Sequence, residues 1–246
     1  MQSGKNTGKI VIHFRKDHQI PTLLCGIPMC MLESNVSFLL SGGMGGIGRR
    51  IARWMVSRGA RYLILLSRTT KTDESCIQFL EELKLKGVTV AAPACNICDY
   101  GALKTVLDGL RTIMPPVKGC VQAAMELKNA RFDAMSKSDF EAALRPKVMG
   151  SWNLHTLLPR DLDFFILCAS ISGVIPSFGQ TNYAAGNTFQ DALARYRVQR
   201  GEKAVSIDMG MFVDAGFVAT HAGLADQLQA RGSVPLYMED LLRLLE

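Results

Sequence analysis

The chain of 246 residues alternates short, mainly apolar runs with longer stretches in which apolar residues recur at helical spacing. The short runs are typical of buried strands; they are Val36–Leu40, Tyr62–Leu66, Val88–Ala94, Val117–Ala124, Asp163–Ala169 and Ala204–Asp208. The longer stretches predict helices after Gly48, over Glu74–Lys86, over Leu103–Met114 and around Tyr183–Arg200. Strands that are apolar along their length and alternate with helices predict an α/β fold, a doubly wound parallel sheet with helices on both faces.

Turn and cap signals set the expected boundaries of these elements. Gly59 closes the first helix, and the pair Pro115–Pro116 stops the third. Ser138 is followed three residues later by Glu141, which predicts a capping box at the start of the next helix.

The pattern also predicts three parts of the chain. Residues 1–35 hold one strand-like run, Ile10–Ile12, and then an irregular stretch, so they are expected to be a linker or the tail of a preceding domain. Residues 36–220 form the predicted nucleotide-binding domain. Residues 221–246 are expected to be a C-terminal lid or helical segment, truncated because its pattern stops in mid-helix.

Composition excludes several classes of function. The formal charge of +6 is spread along the chain without a dense basic block, which argues against nucleic-acid binding. No apolar run approaches the ~20 residues that span a bilayer, and Met1–Lys9 lacks a signal-peptide pattern. The seven cysteines are scattered, and the pair Cys95 and Cys98 has no second pair to complete a zinc site. We therefore expect a cytoplasmic protein with reduced thiols, without metal and without membrane contact.

A glycine-rich turn lies between the first strand and the first helix. Glycines at such a turn let the backbone approach a pyrophosphate and leave the helix N–H groups free to receive its charge. Because an apolar strand precedes it and another strand follows within about 30 residues, the context of a Rossmann-type dinucleotide site is met. The expected cofactor-binding residues here are Gly42, Gly43, Met44, Gly45, Gly46, Ile47 and Gly48.

The end of the second strand predicts which dinucleotide binds. Sites that prefer NAD place Asp or Glu there to bond the ribose 2′-hydroxyl, whereas this chain has Ser67–Arg68–Thr69. A guanidinium binds a 2′-phosphate through two charge-assisted hydrogen bonds. Ser67 and Arg68 therefore favour NADPH.

Four further side chains suggest a reaction at a carbonyl group. Tyr183 and Asn187 are four residues apart in an expected helix and share a face, while Ser170 ends the fifth strand. A phenol is protonated at neutral pH, and the neighbouring ammonium of Lys147 would make it a better proton donor. Ser170 would hold the substrate oxygen, and Asn187 would order a proton relay behind the phenol. These residues predict a carbonyl reductase.

Several segments also carry a family resemblance: Gly42–Gly48, Arg145–Gly150, Ala169–Gly173 and Gly179–Asn187. They resemble the ketoreductase domain of polyketide synthases, within the short-chain dehydrogenase/reductase superfamily. Ordinary members of that superfamily carry lysine four residues after the tyrosine; this chain is similar to the polyketide ketoreductases in having Asn187 there and Lys147 on the preceding helix. Ala52–Ala60 and Asp208–Gly210 most resemble the fungal, highly reducing, iterative type, with the ketoreductase of animal fatty acid synthase as the nearest alternative.

The resemblance runs from about Val36 to Val218 and implies more than the residues alone. It implies that the cofactor also contacts Asn96, Ile97, Ala123, Ala124, Lys147, Tyr183 and Gly210. It implies reduction of a β-ketoacyl thioester held on the phosphopantetheine arm of an acyl carrier protein, among other megasynthase domains. It further implies a second, structural half, so the domain alone is expected to expose an apolar edge.

The chain departs from the family at three places. Asn96 stands where the family has Asp, Met125 replaces a glycine near the nicotinamide, and Leu127–Asn129 replaces a Leu-Asp-Asp triplet. The sequence leaves two other functions open. One is a free-standing short-chain dehydrogenase for small ketones, and the other is a non-catalytic domain or inactive fragment of a megasynthase.

Overall fold

The computed structural model describes residues 30–69, 73–175, 177–221, 223–230 and 232–246. The strand-like run Ile10–Ile12 lies outside these ranges. Six parallel strands form the main sheet in the order β3-β2-β1-β4-β5-β6. Their bounds are β1 Ser37–Ser41, β2 Tyr62–Leu66, β3 Thr89–Ala91, β4 Val117–Gln122, β5 Phe164–Ser170 and β6 Val205–Met209.

Helices connect the strands. The first six are α1 Gly46–Ser57, α2 Glu74–Leu85, α3 Tyr100–Leu110, α4 Lys137–Arg145, α5 Ser151–Leu157 and α6 Thr181–Gln199. A π-helical turn over Pro146–Gly150 joins α4 directly to α5, and short 3₁₀ turns cover Phe132–Ala134 and Ile171–Gly173. Within the described ranges, every helix is too short or too polar to cross a membrane.

Two apolar cores cover the two faces of the sheet, as the period of two along a strand requires. Phe38 and Leu40 of β1 point into one core together with residues of α1 and α2, such as Met55 and Phe79. Leu39, between them, points into the other core, which α3, α5 and α6 complete. This arrangement confirms the predicted α/β class and the helices on both faces.

Some element boundaries differ from those that the sequence predicts. β3 ends at Ala91 and only an isolated bridge between Ser67 and Ala94 follows, because the chain there turns away from the sheet edge. The predicted capping box at Ser138 is wrong. Ser136 caps α4, since its hydroxyl accepts a hydrogen bond from the N–H of Asp139.

The end of the chain packs against the first helix. It contains β7 Met211–Phe212, α7 Gly216–Ala219, α8 Leu224–Ala230, β8 Pro235–Leu236 and α9 Met238–Leu244. Met238 and Leu241 of α9 are buried in the same core as α1. Asp214 ties the two helices, because it pairs with Arg50 of α1 and accepts a hydrogen bond from the N–H of Met238.

The strand order reverses between β1 and β4, from which the chain proceeds to opposite edges of the sheet. In open parallel sheets, ligands bind in the crevice outside the carboxyl ends of the strands at such a point. The fold therefore places the glycine-rich turn, which follows β1, at the expected position of a ligand site.

Candidate active site

A cleft of about 880 Å³ opens at the carboxyl edge of the sheet. Thirteen of the residues proposed from the sequence line it: Gly42, Gly45, Gly46, Ile47, Gly48, Ser67, Arg68, Asn96, Ile97, Ala123, Ala124, Lys147 and Tyr183. Segments that are far apart in the sequence thus meet in one cavity. Its size lies within the range of cofactor pockets.

The glycine-rich turn forms the floor of the cleft at the start of α1. Gly42 has a φ of +75°, and a methyl group there would come within 2.9 Å of the backbone of Ala123 and Ala124. A methyl group on Gly48 would come within 2.3 Å of the carbonyl oxygen of Gly42. Gly45, the N-cap of α1, provides no side-chain cap, so the first N–H groups of the helix stay available to an anion.

Arg68 lies at the side of the cleft formed by β2. Its guanidinium forms an ion pair with Glu126, which follows β4 on the other side. The neighbouring Ser67 donates its hydroxyl proton to the carbonyl oxygen of Thr69, 2.7 Å away. On the adjacent wall, Asn96 accepts a hydrogen bond from the N–H of Cys98 at 3.1 Å.

The π-helical turn fixes Lys147 beneath the cleft. Pro146 starts this turn, where it lacks the N–H that a regular helix would use. Such turns insert one extra residue and recur at functional sites. Across from Lys147, a methyl group on Gly186 of α6 would come within 3.1 Å of the lysine side chain. The absence of a side chain at Gly186 thus lets α6 approach closely.

Polar atoms without formal charge hold the ammonium of Lys147. It donates to the carbonyl oxygen of Cys168 at 2.9 Å and to Oε1 of Gln190 at 3.0 Å. The side chain is 1% exposed, and this burial lowers the pKa of Lys147 to about 8. Its Nζ lies 5.0 Å from the centre of the Tyr183 ring.

Tyr183 points its hydroxyl into the same space. The hydroxyl donates to Sδ of Met125 at 3.6 Å, and burial raises the pKa of the phenol above its ordinary value. The phenol is therefore protonated at neutral pH and can donate to an acceptor that displaces the thioether.

Ser170 and Asn187 lie around Tyr183 without lining the cleft itself. Ser170 Oγ accepts hydrogen bonds from the N–H and the hydroxyl of Ser172. Hydrogen bonding from Ser170 and Asn187 to the phenol opposes the rise that burial causes in the pKa of Tyr183. Asn187 is fully buried and donates to the carbonyl oxygen of Tyr183 at 2.8 Å. Its Oδ1 forms no hydrogen bond with the described residues.

Three proposed cofactor residues lie away from the cavity surface. Gly43 packs against Leu65, and Met44 is 3% exposed within the core. Gly210 lies between β6 and β7, where a methyl group would come within 2.8 Å of Leu236. These residues shape the backbone beside the cleft.

The structure brings several residues into the site that the sequence does not predict. Gln190 holds Lys147 and also donates to Ser151 at 3.1 Å, within a buried network that includes Gln122. Its position seven residues after Tyr183 puts it on the same helical face, which was an available signal. Ser172, Glu126 and the cleft-lining Arg49, Arg145 and Phe217 had no comparable signal.

This sheet order, with a glycine-rich turn and a tyrosine–lysine pair at its carboxyl edge, is that of a nicotinamide-dependent oxidoreductase. Residues 36–214 match the family model of the KR domain. The chain therefore belongs to the ketoreductase (KR) domains of polyketide synthases, which are oxidoreductases.

Curated relatives confirm the resemblance to the fungal, highly reducing type. The whole chain is 45% identical to part of highly reducing polyketide synthase 40 of Fusarium mangiferae, and 46% identical to part of lovastatin diketide synthase lovF of Aspergillus terreus. It spans about 10% of the length of each of these relatives.

Solved ketoreductase structures confirm the fold. A ketoreductase from the first module of phoslactomycin biosynthesis in Streptomyces sp. HK803 superposes with a TM-score of 0.81 at 33% identity, over 88% of this chain and 50% of that one. An A1-type ketoreductase superposes with a TM-score of 0.79 at 32% identity, over 87% of this chain and 45% of the other.

Proposed function

We propose that this domain uses NADPH to reduce a β-ketoacyl thioester to the β-hydroxyacyl thioester, with Tyr183 as the proton donor. The observation that carries the proposal is the buried pair of Lys147 and Tyr183 beside a dinucleotide-sized cleft, with the Ser170 hydroxyl next to the phenol. An ammonium near the phenol favours the phenolate that remains after proton transfer.

The residues in the cleft fit a nicotinamide dinucleotide. The uncapped start of α1 and the glycines around it would hold the diphosphate, and Arg68 would hold the 2′-phosphate. Asn96 and Ile97 would lie against the adenosine half. When bound, NADPH would supply hydride to the ketone carbon.

Tyr183 would donate its proton to the ketone oxygen as negative charge develops there. Ser170 would donate a second hydrogen bond to the same oxygen and fix its position. The unpaired Oδ1 of Asn187 gives a buried acceptor for a water that would return a proton to the phenol.

The acyl chain and its carrier belong to the same proposal. Between Ser170 and Tyr183 the surface exposes Val174, Ile175 and Phe178, at 63%, 61% and 80%. This apolar surface beside the reaction site suits an acyl chain on a phosphopantetheine arm. The length of the relatives supports neighbouring megasynthase domains as partners. The free thiols of Cys95, Cys98, Cys120 and Cys168 support a cytoplasmic location.

The Tyr183→Phe variant tests the mechanism. It removes the donating hydroxyl while keeping the ring, so NADPH should bind normally while reduction of a β-ketoacyl thioester mimic falls ~100-fold or more. Tyr196→Phe is the matched control, because Tyr196 lies on the same helix with its ring 39% exposed. A comparable rate for Tyr183→Phe and the unaltered protein would rule out Tyr183 as proton donor. NADPH binding without turnover in the unaltered protein would favour a non-catalytic domain.

A further inference from the structure

An ion pair joins two residues that line the cleft. Arg68 follows β2, Glu126 follows β4, and their side chains are in direct contact. Because β2 and β4 flank β1, a strand spacing of about 4.8 Å puts the two strand ends roughly 10 Å apart. The pair therefore bridges the space over the strand from which the glycine-rich turn departs.

The two partners differ in how they are held. The Arg68 side chain is 65% exposed, whereas that of Glu126 is 25% exposed and has a second cation, Lys128, at 3.8 Å. The Glu126 carboxylate is thus held beside β4, and the more exposed Arg68 side chain extends from β2 to reach it. No other ion pair of Arg68 is formed with the described residues.

We propose that Glu126 limits the affinity of this site for the 2′-phosphate of the cofactor by competing for Arg68. The inference rests on the proposed NADPH dependence. A carboxylate and a phosphate use the same guanidinium fork, and two anions around one cation repel each other. Binding of NADPH therefore draws Arg68 away from Glu126, whereas NADH, which lacks this phosphate, leaves the pair intact. Glu126 is thus a specificity-determining residue, because it lowers the affinity for NADPH but not the affinity for NADH and so reduces the ratio of the two.

Dissociation constants for NADPH and NADH, read from nicotinamide fluorescence, test the competition without turnover. Glu126→Gln should bind NADPH about three- to fivefold more tightly, the scale of an exposed ion pair, and NADH within twofold of the unaltered protein. Glu82→Gln is the matched control, since Glu82 also pairs with an arginine and a lysine but lies outside the cleft. It should change neither constant.

A double variant separates competition from simple repulsion. With Arg68→Ala already present, Glu126→Gln should have no further effect on NADPH, because no guanidinium remains to compete for. An effect of the same size in that background would overturn the proposal, and so would weaker NADPH binding by Glu126→Gln alone.

The two proposals fail in different ways. Equal affinity of the unaltered protein for both dinucleotides would contradict the proposed NADPH preference, yet Glu126→Gln should then still create one. If Glu126→Gln binds both dinucleotides as the unaltered protein does, with an unchanged melting temperature, the competition does not exist.

Discussion

Two buried cations lie at opposite ends of the same parallel sheet, and their surroundings differ in kind. Lys147 lies near the carboxyl ends of the strands and contacts a carbonyl and an amide oxygen. Arg197, on α6 near the amino ends, is equally buried but lies 3.2 Å from the carboxylate of Glu202. Lys147 forms no ion pair within the described part of the chain, whereas Glu202 neutralises the charge of Arg197.

Several cations surround Glu202, although its Oε2 and the Nε and Nη2 atoms of Arg197 form no hydrogen bond with the described residues. Arg197 lies over the ring of Phe165, 4.1 Å from its centre, and its Nη1 is 2.7 Å from Nδ1 of His155. Glu202 is 6% exposed and is also approached by Arg160 at 3.9 Å and Arg200 at 3.6 Å. The cluster around Glu202 joins the end of α5, the end of α6 and the turn that leads into β6.

The fold thus separates stability from chemistry. Burying an ion pair costs free energy, because both charges lose their water. Once the pair is formed, removing one partner destabilises the fold, because the other charge is left buried without compensation. A buried cation that contacts only neutral dipoles has a lowered pKa and is ready to influence a neighbouring phenol. The cleft end of the sheet carries the proposed reactive arrangement, and the opposite end carries the buried ion pair.

The largest expected effect is on stability, from Glu202→Gln. Removing this carboxylate leaves the Arg197 guanidinium buried without a counter-ion, so the free energy of unfolding should fall by about 3–5 kcal/mol in urea titrations. Glu239→Gln is the control, because its pair with Arg243 on α9 is exposed and should contribute less than about 1 kcal/mol. A loss below 1 kcal/mol for Glu202→Gln would show that the cluster does not lock the fold.

Lys147→Met should have the opposite pair of effects, a large loss of activity and little change in stability. Reduction of the thioester ketone should fall about 100-fold, equivalent to roughly 2.7 kcal/mol of activation free energy. The free energy of unfolding should change by less than about 1 kcal/mol, since lost hydrogen bonds are offset by removal of a buried charge. Lys137→Met, at an exposed position on α4, should leave both measurements unchanged. Strong destabilisation by Lys147→Met would show that Lys147, like Arg197, has a structural role.

The smallest expected effect concerns pH. Burial, reinforced by Arg197, lowers the pKa of His155 below 6.5. The unfolded chain therefore binds a proton that the folded domain resists, so this histidine makes stability fall as pH decreases through about 6.5. His155→Gln should flatten the dependence of the melting temperature on pH between about 7 and 5, relative to the unaltered protein. Parallel curves for the two proteins would exclude this role.

The sequence predicts those features that depend on a local pattern. All six strands of the main sheet are found: burial on both faces makes the runs of the inner strands β1, β2, β4 and β5 apolar, and the partly exposed edge strands β3 and β6 still carry short apolar runs. The predicted start of α4 is wrong because Ser136 and Ser138 are both plausible N-caps, and only the path of the backbone decides which of them caps the helix. The contacts of Lys147 with Gln190 and of Arg68 with Glu126 join residues 43 and 58 positions apart, so no local pattern indicates them.

The π-helical turn under the cleft has a consequence for protein engineering. It carries one residue more than a regular helix needs, and each residue turns a helix by about 100°. Deleting a single residue between Pro146 and Gly150 would give a more regular rod and rotate Lys147 away from Tyr183. We therefore expect a redesigned domain with a regular helix in place of this turn to lose its reductase activity.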